Sequence, residues 1–206
     1  MTEKRSYDLK NRGAALQGKL RGFTLVELMV GLAIVSMMML YLVPGMGSWM
    51  QSTRIRNAAE SIQNALQLAR GEAVSRNTPV QLVFSSLALG GTAVDWSVSC
   101  VTASATCPGT GQTMTSIQKM SAKEGSTGAQ LTVSSAQSTI VFNGTGRVSS
   151  MPALTNAITM SITNPNGGTC AASGGTMRCL NIVLTTSGQI RMCDPAFATG
   201  TNPRAC

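Results

Sequence analysis

From Phe23 to Val43 the chain runs twenty-one residues without a lysine or arginine, FTLVELMVGLAIVSMMMLYLV, and nearly all of them are apolar. As a helix this run measures about 32 Å, enough to cross a bilayer hydrocarbon core of about 30 Å. The pattern then changes without ending. Ile55, Ala58, Ala59, Ile62, Leu66, Ala69 and Ala73 recur at three- and four-residue spacing, which predicts an amphipathic helix through Arg76. Asn77 tolerates a left-handed cap and Pro79 cannot continue a helix, so Asn77-Thr78-Pro79 is the predicted stop. The expectation is about fifty residues of near-continuous helix with an all-round apolar first half and a second half that lies on a soluble head. Pro44-Gly45 and Gly47 interrupt it just past the apolar run. Proline lacks the backbone N–H and clashes with the preceding turn, so a kink or a melted stretch is expected there.

After Pro79 the period changes to two. Val80–Phe84 and Val94–Cys100 alternate apolar with mostly polar residues, as half-buried strands do. Further strands are expected at 130–133, 139–142, 157–162, 179–184 and 189–193. Asn143-Gly144, 164–168 and Ser187-Gly188 punctuate them as turns. The predicted class is α+β: a long N-terminal helix packed on an antiparallel β-sheet head. The predicted boundaries are a leader at 1–22, an apolar helical half at 23–49, and a head at 50–206 divided into an amphipathic helix (50–77) and a β-rich region (78–206).

Composition narrows the chemistry. The 206 residues contain no histidine, which removes the commonest general base and the commonest metal ligand. The net charge of +8 divides into two unlike parts: residues 1–22 hold six basic and two acidic residues, and the other ten basic and six acidic residues are spread along the chain. The concentrated part is a basic leader ahead of an apolar run, which predicts a cytoplasmic N-terminus. An ordinary cleaved signal peptide needs a small-residue site after the run, and VPGMGSWMQ offers none. No G-x-S-x-G elbow is present, and the β-rich region has only Asp95, Glu124 and Asp194 as carboxylates. The expectation is no enzyme, no cofactor and no metal.

All six cysteines follow residue 99. Local pairing would join Cys100 with Cys107, Cys170 with Cys179, and Cys193 with Cys206, while a Cys179–Cys193 bridge across a hairpin is the main rival. Fifteen connectivities are possible. The absence of C-x₂-C spacing and of histidine favours disulfides over zinc, and so an oxidising compartment.

Residues 21–28, RGFTLVEL, bring together a basic leader, a Gly-Phe junction, an acid four residues on and an apolar run. This combination resembles the processing and assembly motif of type IV prepilins and type II secretion pseudopilins. The resemblance implies cleavage after Gly22 by a prepilin peptidase/N-methyltransferase, and methylation of the new N-terminal residue Phe23. Glu27 is an ionisable group in an apolar span, costing about 2.5–3.5 kcal/mol if unpaired at mid-helix. It lies one turn beyond Phe23 on the same face. The amine freed by cleavage would neutralise it, from its own chain or from a neighbouring subunit, and Pro44 would be either a tolerated kink at the membrane exit or a joint that lets subunits extend in a fibre. Residues 64–77, NALQLARGEAVSRN, together with 142–147, FNGTGR, and 188–195, GQIRMCDP, are similar to segments of the GspH/FimT branch of minor pseudopilins.

Members of that branch prime or cap type IV pili or secretion pseudopili, and some bind DNA in natural transformation through a Gly-Arg-x-Arg hairpin. Here the hairpin reads Gly188-Gln189-Ile190-Arg191, so only Arg191 matches; Arg178, Arg147 and Arg204, with Lys119 and Lys123, are the cations that folding would have to gather around it. The function implied is a minor pilin or pseudopilin. The alternatives are a DNA receptor and a membrane-anchored periplasmic domain outside any fibre. The implied partners are other pilin subunits, the processing peptidase, the inner membrane and, for the receptor reading, DNA. The implied location is a single pass through the inner membrane with a periplasmic head, then a periplasm-spanning or surface fibre.

Overall fold

The computed structural model describes residues 22–87, 93–102, 107, 109–110, 113–114, 116–135, 137–149, 157–200 and 202–206, without the side chains of 41–46, 109–110 and 113–114. The predicted leader, up to Arg21, lies outside them. Helix α1 spans Leu25–Arg76, and the chain divides into two units, Met1–Val43 and Pro44–Cys206. The melted stretch expected at Pro44–Gly47 is not found, because helical structure continues through it. A proline forfeits one backbone bond, and the bonds on either side can carry the helix past it.

In the first unit every described side chain from Phe23 to Leu40 is exposed. Among the described residues no helix is long and apolar enough to cross a membrane; the described side chains of the apolar run end at Leu40, so the rest of the expected span, through Val43, lies outside them.

The second unit contains the core. Ile55, Ala58, Ala59, Ile62, Leu66, Ala69 and Ala73, the predicted stripe, are all buried. The four alanines let the helix approach closely and the three larger side chains fill the layer beneath it. Two four-stranded antiparallel sheets complete this core, where the sequence reading expects one sheet. The first orders its strands β5-β2-β1-β7, from β1 (Val80–Phe84), β2 (Trp96–Cys100), β5 (Ser116–Met120) and β7 (Thr139–Phe142). The second orders β10-β9-β8-β6, from β6 (Gln130–Val133), β8 (Ala157–Thr163), β9 (Leu180–Thr185) and β10 (Ile190–Cys193). A small hairpin pairs β3 (Gly109–Thr110) with β4 (Thr113–Met114). The chain enters the second sheet at β6 and returns to the first at β7, so both sheets share the helix.

Strands β6 and β7 have their predicted bounds, and β1 matches as well. Strand β5 escapes the sequence reading. It is an edge strand whose side chains are mostly exposed, so its face has no need of the apolar alternation that marks the inner strands. Its neighbour β2 is fastened to the helix by a polar bridge: Trp96 Nε1 donates to Ser61 Oγ at 2.8 Å, and Ser61 Oγ in turn lies 2.8 Å from Met120 Sδ of β5.

Candidate functional site

Three groups of residues singled out by sequence fall in three places. The first is the start of α1. Gly22, Phe23 and Thr24 are outside the helix and exposed, and nothing lies within 4 Å of the position a Cβ would take on Gly22. Among the described residues the backbone of Gly22 and Phe23 is therefore open and non-helical. The helix begins at Leu25 because Thr24 caps it: its Oγ1 accepts from the Glu27 N–H at 3.2 Å. Thr24-x-x-Glu27 has the spacing of a capping box, a signal present in the sequence and missed beside the processing motif. The Glu27 carboxylate has no partner among the described residues. The Ser36 hydroxyl is satisfied within the helix, since its Oγ donates to the Leu32 carbonyl at 2.7 Å.

The second is the far end of the helix. Asn77 adopts φ 48°, its N–H donates to the Val74 carbonyl at 3.3 Å, and the Thr78 N–H donates to the Ala73 carbonyl at 3.2 Å. This is a Schellman closure with asparagine as the left-handed residue. The turn 143–147 seats on it, organised by Asn143 Oδ1, which accepts from the N–H groups of Thr145 and Arg147 at 3.1 and 3.0 Å. A Cβ on Gly144 would stand 2.5 Å from Asn77 Oδ1 and 3.1 Å from the Asn77 carbonyl carbon, and a Cβ on Gly188 would overlap the Gly146 carbonyl oxygen. The Val148 N–H, donating to the Thr186 carbonyl at 3.1 Å, ties this turn to the β9–β10 hairpin. The segments 64–77, 142–147 and 188–195 thus meet at a single junction of helix end, turn and hairpin.

The third is the C-terminal corner. The cysteines lie in the three locally expected pairs, Cys100–Cys107, Cys170–Cys179 and Cys193–Cys206, with Cα separations of 6.1, 5.5 and 5.1 Å. The last pair pins the tail beside β10, where the Asp194 N–H also donates to the Arg204 carbonyl at 2.7 Å. Arg191 Nη2 donates to the carbonyls of Ala205 and Cys206 at 3.1 and 3.4 Å, so this guanidinium clamps the tail. Asp194, three residues beyond Arg191 in the chain, pairs instead with Arg178, whose Nε donates to Asp194 Oδ2 at 2.7 Å. That carboxylate is only 4% exposed. Burial without a cation would be costly, and the Ala196 N–H donates a further bond to Oδ1 at 2.9 Å. The Arg178 guanidinium also stacks 5.5 Å from the centre of the Phe197 ring.

The four candidate arginines do not form one patch. Arg178 and Arg204 come together with Arg56, lining a groove of about 520 Å³ that also takes in Trp49, Leu180 and Met192. Trp49, Ser52, Thr53 and Arg56 present one helix face to it by their i, i+3, i+4, i+7 spacing. Arg147 stands at the helix-end junction, next to the glycine that packs on Arg70. Arg56 and Arg70 are fourteen residues apart in α1, about 21 Å at 1.5 Å per residue. Lys119 belongs to β5 of the other sheet. Trp49 and the Arg178–Asp194 pair are the functional candidates that sequence reasoning missed: a lone tryptophan and an ion pair sixteen residues apart have no sequence signature.

A family model described as Type II transport protein GspH matches residues 58–196, and one described as Prokaryotic N-terminal methylation motif matches residues 19–43. No curated protein sequence matches at a significant level. Among solved structures, the type IV minor pilin FimU of Pseudomonas aeruginosa is similar at 19% identity with a TM-score of 0.46, covering 74% of this chain and 94% of that one. The minor pseudopilin EpsH from the type 2 secretion system of Vibrio cholerae is similar at 14% identity with a TM-score of 0.47, covering 70% and 99%.

Proposed function

The chain belongs to the GspH family of type II transport proteins, and from that premise we propose that it is a minor subunit which helps to prime and build a type IV pilus or type II secretion fibre. It is inserted in the inner membrane by its apolar helix, cut after Gly22, methylated on Phe23, and assembled with other pilin-like subunits while its head remains on the periplasmic side. In this role it is the substrate of the processing peptidase and carries out no catalysis of its own.

The observation that carries the reading is the Glu27 carboxylate, without a partner among the described residues and one turn beyond Phe23, at the start of a helix whose described side chains are exposed and almost all apolar through Leu40. A contiguous apolar surface of that size calls for lipid or other helices around it. The lone acid in such surroundings calls for a cation, and the amine created by cutting at the open Gly22–Phe23 bond supplies one. When the amine comes from a neighbouring chain, the pair sets the stagger between adjacent helices.

Two measurements test this. Mass spectrometry of the protein from its native host should find Phe23 as the first residue, with one methyl on its amine; Met1 retained on an intact leader would overturn the proposal. Glu27→Ala should still insert and be cut, yet enter fibres about tenfold less, the expected loss for one charge-assisted bond. Incorporation equal to the wild type would remove the amine–carboxylate mechanism.

A further inference from the structure

We propose that the groove between the Trp49–Arg56 face of α1 and the β10–tail corner is a binding site for an acidic peptide segment, with a carboxylate on its arginines and flanking apolar side chains on its floor. This rests on the fibre reading only for the source of the segment, a neighbouring subunit. The recognition itself depends on the groove alone.

Its volume of about 520 Å³ lies within the range of about 300–1,000 Å³ typical of ligand sites. Two guanidiniums meet there in different states. Arg178 is set in place beforehand: Asp194 holds its Nε from behind, Phe197 supports its plane, and the side chain is still 51% exposed. That leaves its two terminal nitrogens for a ligand, and a fixed guanidinium fork accepts a carboxylate in two parallel bonds. Little ordering entropy remains to be lost on binding. Arg204 has an anchored backbone, since its carbonyl accepts from the Asp194 N–H at 2.7 Å and its N–H donates to Asn202 Oδ1 at 2.9 Å. Its guanidinium has no partner among the described residues. Arg56 is the third cation and is paired with Glu60 at 2.8 Å. With Arg178 matched by Asp194 and Arg56 by Glu60, the Arg204 guanidinium leaves the site with an excess of positive charge among the described residues.

Besides the hydroxyls of Ser52 and Thr53, the rest of the lining is largely apolar. Trp49 at the rim is 67% exposed, and Leu180 and Met192 lie beside it. An exposed tryptophan beside arginines has the composition of an interface hot spot. Trp49, Leu180 and Met192 beside a few arginines in a concave groove favour a peptide over a nucleic acid. Duplex binding draws its affinity from many phosphates neutralised at once, whereas Arg147 lies at the other end of the head helix and Arg191 is engaged with the tail.

The experiment uses the full-length protein in detergent and the fluorescence of Trp49. The only other tryptophan, Trp96, is 4% exposed in the core, so a response lost in Trp49→Phe belongs to the groove. The probes are acetyl-Glu-Leu-Glu-Leu-Glu-amide, the same peptide with glutamine for glutamate, inorganic phosphate and a short DNA duplex. The acidic peptide should give a saturable change, and the glutamine peptide should bind at least about tenfold more weakly, as expected for a lost charge-assisted contact. Arg204→Gln should weaken the acidic peptide by a similar factor while leaving the melting temperature unchanged, since its guanidinium holds nothing in the fold. Arg178→Gln should weaken it further, with circular dichroism confirming that the head is folded. Equal binding of the two peptides, no saturation at millimolar peptide, an unaltered response in both arginine variants, or tighter binding by the DNA duplex or phosphate would each overturn the proposal. An intact leader on the native protein would defeat the fibre reading and leave this titration untouched.

Discussion

At the scale of single residues, the fold depends on a few places where a side chain is forbidden or a charge must be met. Gly144 is one: its missing Cβ makes room for Asn77, which itself holds the left-handed closure of α1. Gly144→Ala should destabilise the head by about 1–3 kcal/mol, the usual cost of forced overpacking. Gly71 sits in the same helix with nothing within 4 Å of its would-be Cβ, so Gly71→Ala should stabilise by up to about 1 kcal/mol through helix propensity. Thermal melts of the two variants should therefore move in opposite directions; a shared direction would count against the junction as described. Asp194 shows the other kind of necessity. A buried carboxylate cannot be left without a cation, and Arg178 is the cation that faces it.

At the scale of elements, the tail is held by one covalent link and a handful of backbone bonds. The Cys193–Cys206 pair closes a loop of sequence separation 13, for which the chain-entropy estimate is about 3 kcal/mol. Replacing both cysteines by serine should lower stability by about that amount in denaturant titrations. The change should also free Arg191, and with it the corner that supports Arg204. Edge strand β5 illustrates why some elements could not be read in advance. Ser116–Met120 pairs through its backbone with β2, shifting register between Val98 and Ser99, and backbone pairing leaves no mark on the pattern of side chains.

At the scale of the whole molecule, one helix face serves two sheets. Leu66 is fully buried in the core that α1 shares with both, so Leu66→Ala should cost about 2–5 kcal/mol. Loss of cooperativity across both sheets should accompany it, since neither has another helix to cover its inner face among the described residues. Calorimetry showing two separate transitions in the unmutated head would contradict a shared core. What the sequence determined alone was everything expressed in local order: the apolar run, the buried stripe of α1 to its stop at Asn77, the strands whose inner faces alternate and the Gly22–Phe23–Glu27 motif, while the choice of local cysteine pairs over a Cys179–Cys193 bridge came from the fold. Tertiary structure alone decided which of two sheets each strand joined, that Asp194 answers Arg178, and that Arg147 and Arg191 stand apart from the groove built by Trp49, Arg56, Arg178 and Arg204. The division has a physical cause: periodicity and short loops act between residues that are neighbours along the chain, while pairing and clefts depend on residues that only folding brings together.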